Sequence, residues 1–183
     1  MGQAMVDLCP AGDPDYAWVL GNLALSFSMQ YEMQGNVSNL NRAIEIDQKR
    51  LDLCPSSHSE YTRALGQLAD LFRKLYWVQK NQADLDKAIE MAERLLDLCP
   101  FGHPDHLTAL GTLGISLENH SCVQGNMTDL NRAIEMEQKV LDLYPVDHPS
   151  QIALGYLGIS LSRWYPKANN LVDLNKAIEL EEK

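Results

Sequence analysis

A period of 45 residues runs through the sequence and limits what it can fold into. The string Asp-Leu-Cys-Pro starts at Asp7, Asp52 and Asp97, and Asp-Leu-Tyr-Pro follows at Asp142. A second string keeps the same step: it starts at Asn39, Asp84 and Asp129, and returns at Asp173, one residue early. A Leu-Gly pair at 20–21, 65–66, 110–111 and 154–155 confirms the register and puts the single deletion near Ser150. Fixed self-similarity of this length is the signature of a stack of like units, each burying its apolar face against the next.

Each unit reads as two helices. In the second copy, Leu65, Leu68, Ala69, Phe72 and Tyr76 recur at three- and four-residue steps, which predicts a helix A over 59–79. Leu85, Ala88, Ile89, Ala92, Leu95 and Leu96 predict a helix B over 82–98. Period-two alternation is absent, so strands are not expected. Pro14, Pro104 and Pro149 suit the first position of helix A, with Asp13 as cap in one copy and His58, His103 and His148 in the others. Gly35 and Gly125 suit the left-handed residue ending helix A, and Lys80 is the poorest fit there. Asn36, Asn81, Asn126 and Asn170 open helix B; the acid or amide three residues on resembles a capping box with a shortened acid. Pro55, Pro100 and Pro145 stop it. Glu45–Lys49, Glu90–Arg94, Glu135–Lys139 and Glu179–Lys183 form an i,i+4 stripe, read as a solvated outer face.

Helix B resembles the second helix of a tetratricopeptide repeat. Ala43–Pro55, Ala88–Pro100 and Ala133–Pro145 keep that family's spacing of 12 residues. The family's usual small residue seven positions after the alanine is replaced by Arg50, Leu95 and Val140. The run Gly-His-Pro-Asp, Leu-Gly, Asp-Leu-Asn-Arg-Ala-Ile-Glu, Leu-Asp-Leu-Cys-Pro is similar to the 45-residue tetratricopeptide-like arrays abundant in mushroom-forming fungi. In that family such arrays often adjoin a CHAT (caspase-like) peptidase domain or a nucleotide-binding signalling domain. Ser121 departs from the aromatic supplied by Tyr31, Tyr76 and Tyr165, and Pro166 shortens the last helix A. The expected architecture is an all-α solenoid of about four antiparallel helix pairs, TPR-like and right-handed. It would be a single array over 1–183: a helix-B tail at 1–9, repeats at 13–54, 58–99 and 103–144, and a truncated repeat at 148–183. The ends lack polar caps, which implies a fragment of a longer protein or ends that stack on partners or on each other.

Composition narrows the partner. The 183 residues carry 25 acidic and 15 basic side chains, a net charge of −10, which argues against nucleic acid and anionic membrane. There is no apolar run long enough to span a bilayer and no signal peptide, so a cytoplasmic location is expected. Cys9, Cys54 and Cys99 occupy one repeat position, and His58, His103 and His148 another. Equivalent positions in adjacent repeats stand roughly two spacings of 8–10 Å apart, too far to share a zinc ion or form a disulfide. Small-residue packing and turn duty are the expected roles, and no metal or cofactor is expected. A dyad of Cys122 with His120 is not favoured, because the two project to different sides of a helix. The glycines at 111 and 114 are expected to admit close helix packing, and Asn36, Asn119 and Asn126 match glycosylation sequons by accident.

The functional expectation is a non-enzymatic scaffold for protein–protein interaction. The resemblance implies a concave surface lined by the A helices, where a peptide or helix binds. The candidate contacts are Asn22, Gln67, Thr112 and Tyr156 after the Leu-Gly pair, with the basic residues Arg63, Arg73, Lys74 and Arg163. A Lys/Arg/Asn clamp for a chaperone C-terminus cannot be mapped. The alternatives are a regulatory segment of a caspase-like peptidase or nucleotide-binding signalling protein, and, more weakly, self-assembly through uncapped ends.

Overall fold

The computed structural model describes residues 15–143 and Ser160. The tail at 1–9, Asp13, Pro14, His148, Pro149, Tyr156, Arg163, Glu179–Lys183 and the rest of the fourth repeat lie outside the described residues. The chain divides into two compact units, Met1–Leu98 and Cys99–Lys183. The first contains α1 (Tyr16–Gln34), α2 (Val37–Leu53), α3 (Ser59–Gln79) and α4 (Gln82–Leu98); the second contains α5 (His106–Gln124) and α6 (Met127–Leu143). Odd-numbered helices are A helices and even-numbered ones are B helices. The described residues contain no strand. Each A helix packs on its own B helix, and in the first unit α2 also packs on α3 and α1 touches α3. The second-copy helices match their sequence-based bounds residue for residue.

The pairs are held by small residues set among leucines. Ala43, Ala88 and Ala133 are fully buried, as are Leu40 and Leu85. Burying each leucine contributes about 1.5–3 kcal/mol. Where α5 meets α6, a Cβ on Gly114 would stand 3.3 Å from Glu137 Cγ and 3.7 Å from the Ala133 carbonyl. Gly114 therefore serves close packing, while Gly111 has open space beside it.

The turns show how the sequence signals were used. Gly35 and Gly125 are left-handed, with φ of 68° and 67°. Lys80 takes the same conformation at φ 57°, the one non-glycine among the described residues to do so. Its N–H caps Tyr76 O at 2.7 Å, and its ammonium lies 4.2 Å from the Trp77 ring centroid, a cation–π contact that offsets the backbone cost. Asn36, Asn81 and Asn126 each cap helix B by accepting a backbone N–H, at 3.0, 3.3 and 2.9 Å. The reciprocal half of the capping box is not formed as expected. Aspartate is one methylene too short, so Asp129 bonds the Asn126 side-chain amide and the His120 ring instead, both at 2.7 Å.

Helix A also starts differently from expectation in the third copy. Pro104 sits in a turn, and α5 begins two residues later with Asp105 at its N-cap position. The turn persists because His106 N–H bonds His103 O at 3.0 Å. The histidines do turn duty: His58 Nδ1 accepts the Glu60 N–H at 3.2 Å, and His103 Nδ1 the Asp105 N–H at 3.1 Å.

One charged group is embedded in the first unit. Arg50 of α2 is 1% exposed. Its guanidinium meets Asp47 at 2.5 Å and Glu60 of α3 at 2.7 Å, and donates to Gln67 of α3. It lies against Gly21 of α1: a Cβ there would stand 2.7 Å from Arg50 Cζ. Burial pushes Asp47 up to about 6, against the pull of Arg50 and with the help of the Glu60 charge. Burial also pushes Glu60 up, but the hydrogen bonds of Arg63 and Arg50 outweigh it and hold Glu60 below its usual value. One guanidinium thus faces two carboxylates, and Glu60 has the second cation Arg63 beside it while Asp47 does not.

Gly21 and Gly66 occupy the same repeat position, yet a Cβ on Gly66 meets its nearest neighbour at an ordinary 3.5 Å. Gly21→Ala should lower stability by about 1–2 kcal/mol, the overpacking cost of displacing the ion-paired Arg50 less the helix-propensity gain. Gly66→Ala should raise it by about 0.5–1 kcal/mol, the helix-propensity gain. Urea denaturation followed by far-UV circular dichroism checks both.

Candidate functional site

The residues singled out on the A helices fall into distinct environments. Asn22 is exposed on α1. Gln67 is half-buried and engaged by Arg50, at the packing of α2 on α3. Thr112 is half-buried on α5 and donates its hydroxyl to Thr108 O at 2.8 Å. Arg63 is exposed and pairs with Glu60 at 3.0 Å. Arg73 pairs with Asp70 at 2.5 Å. Lys74 spans two A helices, reaching Glu32 at 2.5 Å and Ser28 at 3.3 Å on α1, and Asp70 at 2.8 Å on its own helix. Burial pulls the Lys74 ammonium down, but the Asp70 and Glu32 hydrogen bonds outweigh it and hold it above its ordinary value. Lys74 and Arg73 are therefore committed to ion pairs, and Tyr156 and Arg163 are outside the described residues.

An apolar row on α1 was not singled out by the repeat pattern. Trp18, Leu25, Met29 and Met33 are 49%, 48%, 55% and 84% exposed. With Asn22 between them, they step by three or four residues along one side of the helix. Shifted by one period, the row falls on Arg63, Gln67, Asp70, Lys74 and Val78 of α3. Two of those, Gln67 and Lys74, reach back to α2 and α1. The α1 row thus occupies the side from which α3 meets its preceding helices. Its signal was available in the sequence as Trp18, Leu25 and Met29 standing where the second copy has Arg63, Asp70 and Lys74.

The B-helix stripe is more specialised than a solvated face. Lys139 keeps its i,i+4 partner Glu135 at 2.6 Å. Lys49 instead donates to the Tyr16 hydroxyl at 2.9 Å, and Arg94 to the Tyr61 hydroxyl at 2.5 Å, both spanning 33 residues. The equivalent of those tyrosines in the third copy is His106, whose Nδ1 lies 2.6 Å from Cys99 O and whose ring meets Phe101 edge-on. Helix B's cation bonds a helix-A tyrosine where one is present, and its own glutamate where it is not.

Among the described residues, Cys54, Cys99 and Cys122 are free thiols. Cys122 is exposed, while His120 on the same helix is turned to Asp129. Within one turn, Cys99, His103 and Asp105 come together: their ligand atoms all lie within 4.8 Å of one another. Glu137 of α6 is a second unusual group. It is 3% exposed, bonded by Ser160 at 3.2 Å, and its other oxygen has no hydrogen-bond partner. Burial pushes its pKa up to about 7, against the Ser160 bond.

Solved structures similar to the chain are repeat proteins. A Podospora anserina kinesin light chain-like protein of nearly identical TPR-like repeats matches with a TM-score of 0.62 and 15% identity, over 98% of this chain and 82% of that one. MamA matches at 0.61 and 18%, over 99% and 85%. BtubC (BKLC) from P. vanneervenii matches at 0.58 and 15%, over 93% and 65%. At these identities the likeness establishes the fold: the chain is an all-α, TPR-like helical repeat. No protein-family profile and no curated protein matches the sequence. Among the described residues, no helix is long and apolar enough to cross a membrane.

The Glu137 carboxyl gives a pH test. An acid whose folded pKa lies above its unfolded value loses stability as pH rises between the two, here from 4.5 to about 7. Glu137→Gln should therefore gain about 3 kcal/mol over the parent at pH 8 and little at pH 4. Urea midpoints measured across that range check the sign.

Proposed function

We propose that the chain is a protein–protein interaction scaffold that takes a helix, or an extended peptide, on its helix-A face. The α1 row of Trp18, Leu25, Met29 and Met33 carries this reading. Apolar side chains about half exposed or more along one side of α1, interrupted by Asn22 alone, present a stripe, and an amphipathic helix is the shape that covers such a stripe. The register supports a helical occupant, because α3 meets α2 and α1 from the corresponding side. Asn22, in the middle of the row, supplies a polar contact that sets register. The acidic balance of the chain favours an occupant with basic residues flanking its apolar face.

The 45-residue period and the Asp-Leu-Asn-Arg-Ala-Ile-Glu string support placing the array with the tetratricopeptide-like repeats of mushroom-forming fungi, as a regulatory segment of a larger cytoplasmic signalling protein. A second reading is favoured by the same α1 row: the occupant is another copy of this chain, and the array self-assembles. Sedimentation equilibrium separates the two, since only self-assembly gives a mass rising above 20.6 kDa with concentration.

A phage-displayed library of amphipathic helical peptides, selected on the full chain, tests the scaffold reading. Binders should emerge, and the double variant Leu25→Asp, Met29→Asp should weaken them at least tenfold with unchanged helicity. Binders insensitive to this pair, or none at all, would overturn the assignment to α1.

A further inference from the structure

The turn between α4 and α5 places three different metal-ligating side chains together, and we propose that Cys99, His103 and Asp105 bind a thiophilic divalent cation of the zinc type. The thiol, imidazole and carboxylate atoms lie within 4.8 Å of one another. Tetrahedral ligation brings such atoms to roughly 3.5 Å from each other, a closure that side-chain rotation supplies. The donor set of one sulfur, one nitrogen and one oxygen suits zinc better than magnesium or calcium, which take oxygen ligands. Three protein ligands leave the fourth position to water or to a partner's side chain.

Two features set this turn apart from its counterpart one period earlier, where Cys54, His58 and Glu60 hold the same places. There the acid is taken by Arg50 and Arg63. Leu95 stands at the repeat position of Arg50 here, and among the described residues no ion pair is formed by Asp105. Asp105 stands at the N-cap position of α5, yet its carboxylate makes no capping hydrogen bond. An aspartate at that position ordinarily accepts a helix N–H, so its side chain is directed elsewhere. Cys99 is fully buried.

The turn itself is braced. Gly102 is left-handed at φ 92°, and the His103 N–H bonds Pro100 O at 2.9 Å. The lone pair of His103 Nδ1 now takes the Asp105 amide. Ligation uses that lone pair, or moves the ring proton from Nε2 to free the other nitrogen. The Cys99 thiol gives up its proton to solvent as the sulfur–metal bond forms, so binding releases about one proton and strengthens as pH rises.

Cobalt(II), added alone to the reduced full chain with Cys9→Ser, Cys54→Ser and Cys122→Ser in place, is the probe. The expected result is one equivalent of tetrahedral cobalt with a thiolate charge-transfer band, displaced by zinc. Cys99→Ser should abolish the band, and His103→Gln and Asp105→Asn should each weaken binding at least tenfold. Asp105→Asn removes no buried sulfur, so it tests the site even if Cys99→Ser unfolds the chain. A spectrum without the band, or binding unchanged in Asp105→Asn and His103→Gln, would overturn the site.

Discussion

Helix B lies close to helix A because small residues stand where the two meet. Ala43, Ala88 and Ala133 are all fully buried, with Ala24, Ala69 and Gly114 equivalent to one another on the A helices. A larger side chain at any of these points pushes the pair apart and withdraws the flanking leucines from contact. Packing density in a protein interior leaves no slack for that. Every copy therefore keeps the alanine of helix B, and the turns, caps and stop prolines keep the period that returns it to register.

On this constant frame, the polar chemistry varies. Position 50 and its equivalents hold Arg50, Leu95 and Val140, while position 47 and its equivalents hold Asp47, Ala92 and Glu137. These sets change together in the first two copies: the arginine comes with its aspartate, and the leucine comes with alanine. The third copy has the acid without the arginine, which leaves Glu137 to Ser160. A buried ion pair confers specificity of contact more readily than stability. Arg50 fits that role, since it ties three helices through Asp47, Glu60, Gln67 and the bare backbone of Gly21. One period later Leu95 stands at its position.

The surface is built from the same register. Lys74 bridges two A helices, and at the equivalent place α1 presents Met29 to solvent. An inter-repeat contact in one copy is thus an open apolar face in another. Stacked repeats bury a continuous core only when each face meets a neighbour. The proposed docking face is this exposed row, which lies in the register that α3 uses for its own inter-repeat contacts.

The helix pairs, their bounds in the second copy, the left-handed turn residues and the asparagine caps were all legible in the sequence. They rest on local rules: apolar periodicity, backbone strain at positive φ, and unsatisfied N–H groups at helix starts. Even Lys80, the weakest turn signal, followed its position in the period. The partners of the charged groups were not legible, because they depend on which side chain across a helix interface arrives within reach. Spacing along the chain made the cysteines and histidines look isolated from one another, while the turn after α4 folds Cys99, His103 and Asp105 into one place. Likewise, Gln67 read as a groove residue by position, and only the packing of α2 on α3 assigned it to Arg50. Local periodicity determined the helices; tertiary structure decided which polar atoms are occupied, since desolvation makes each buried charge take whatever partner the packing supplies.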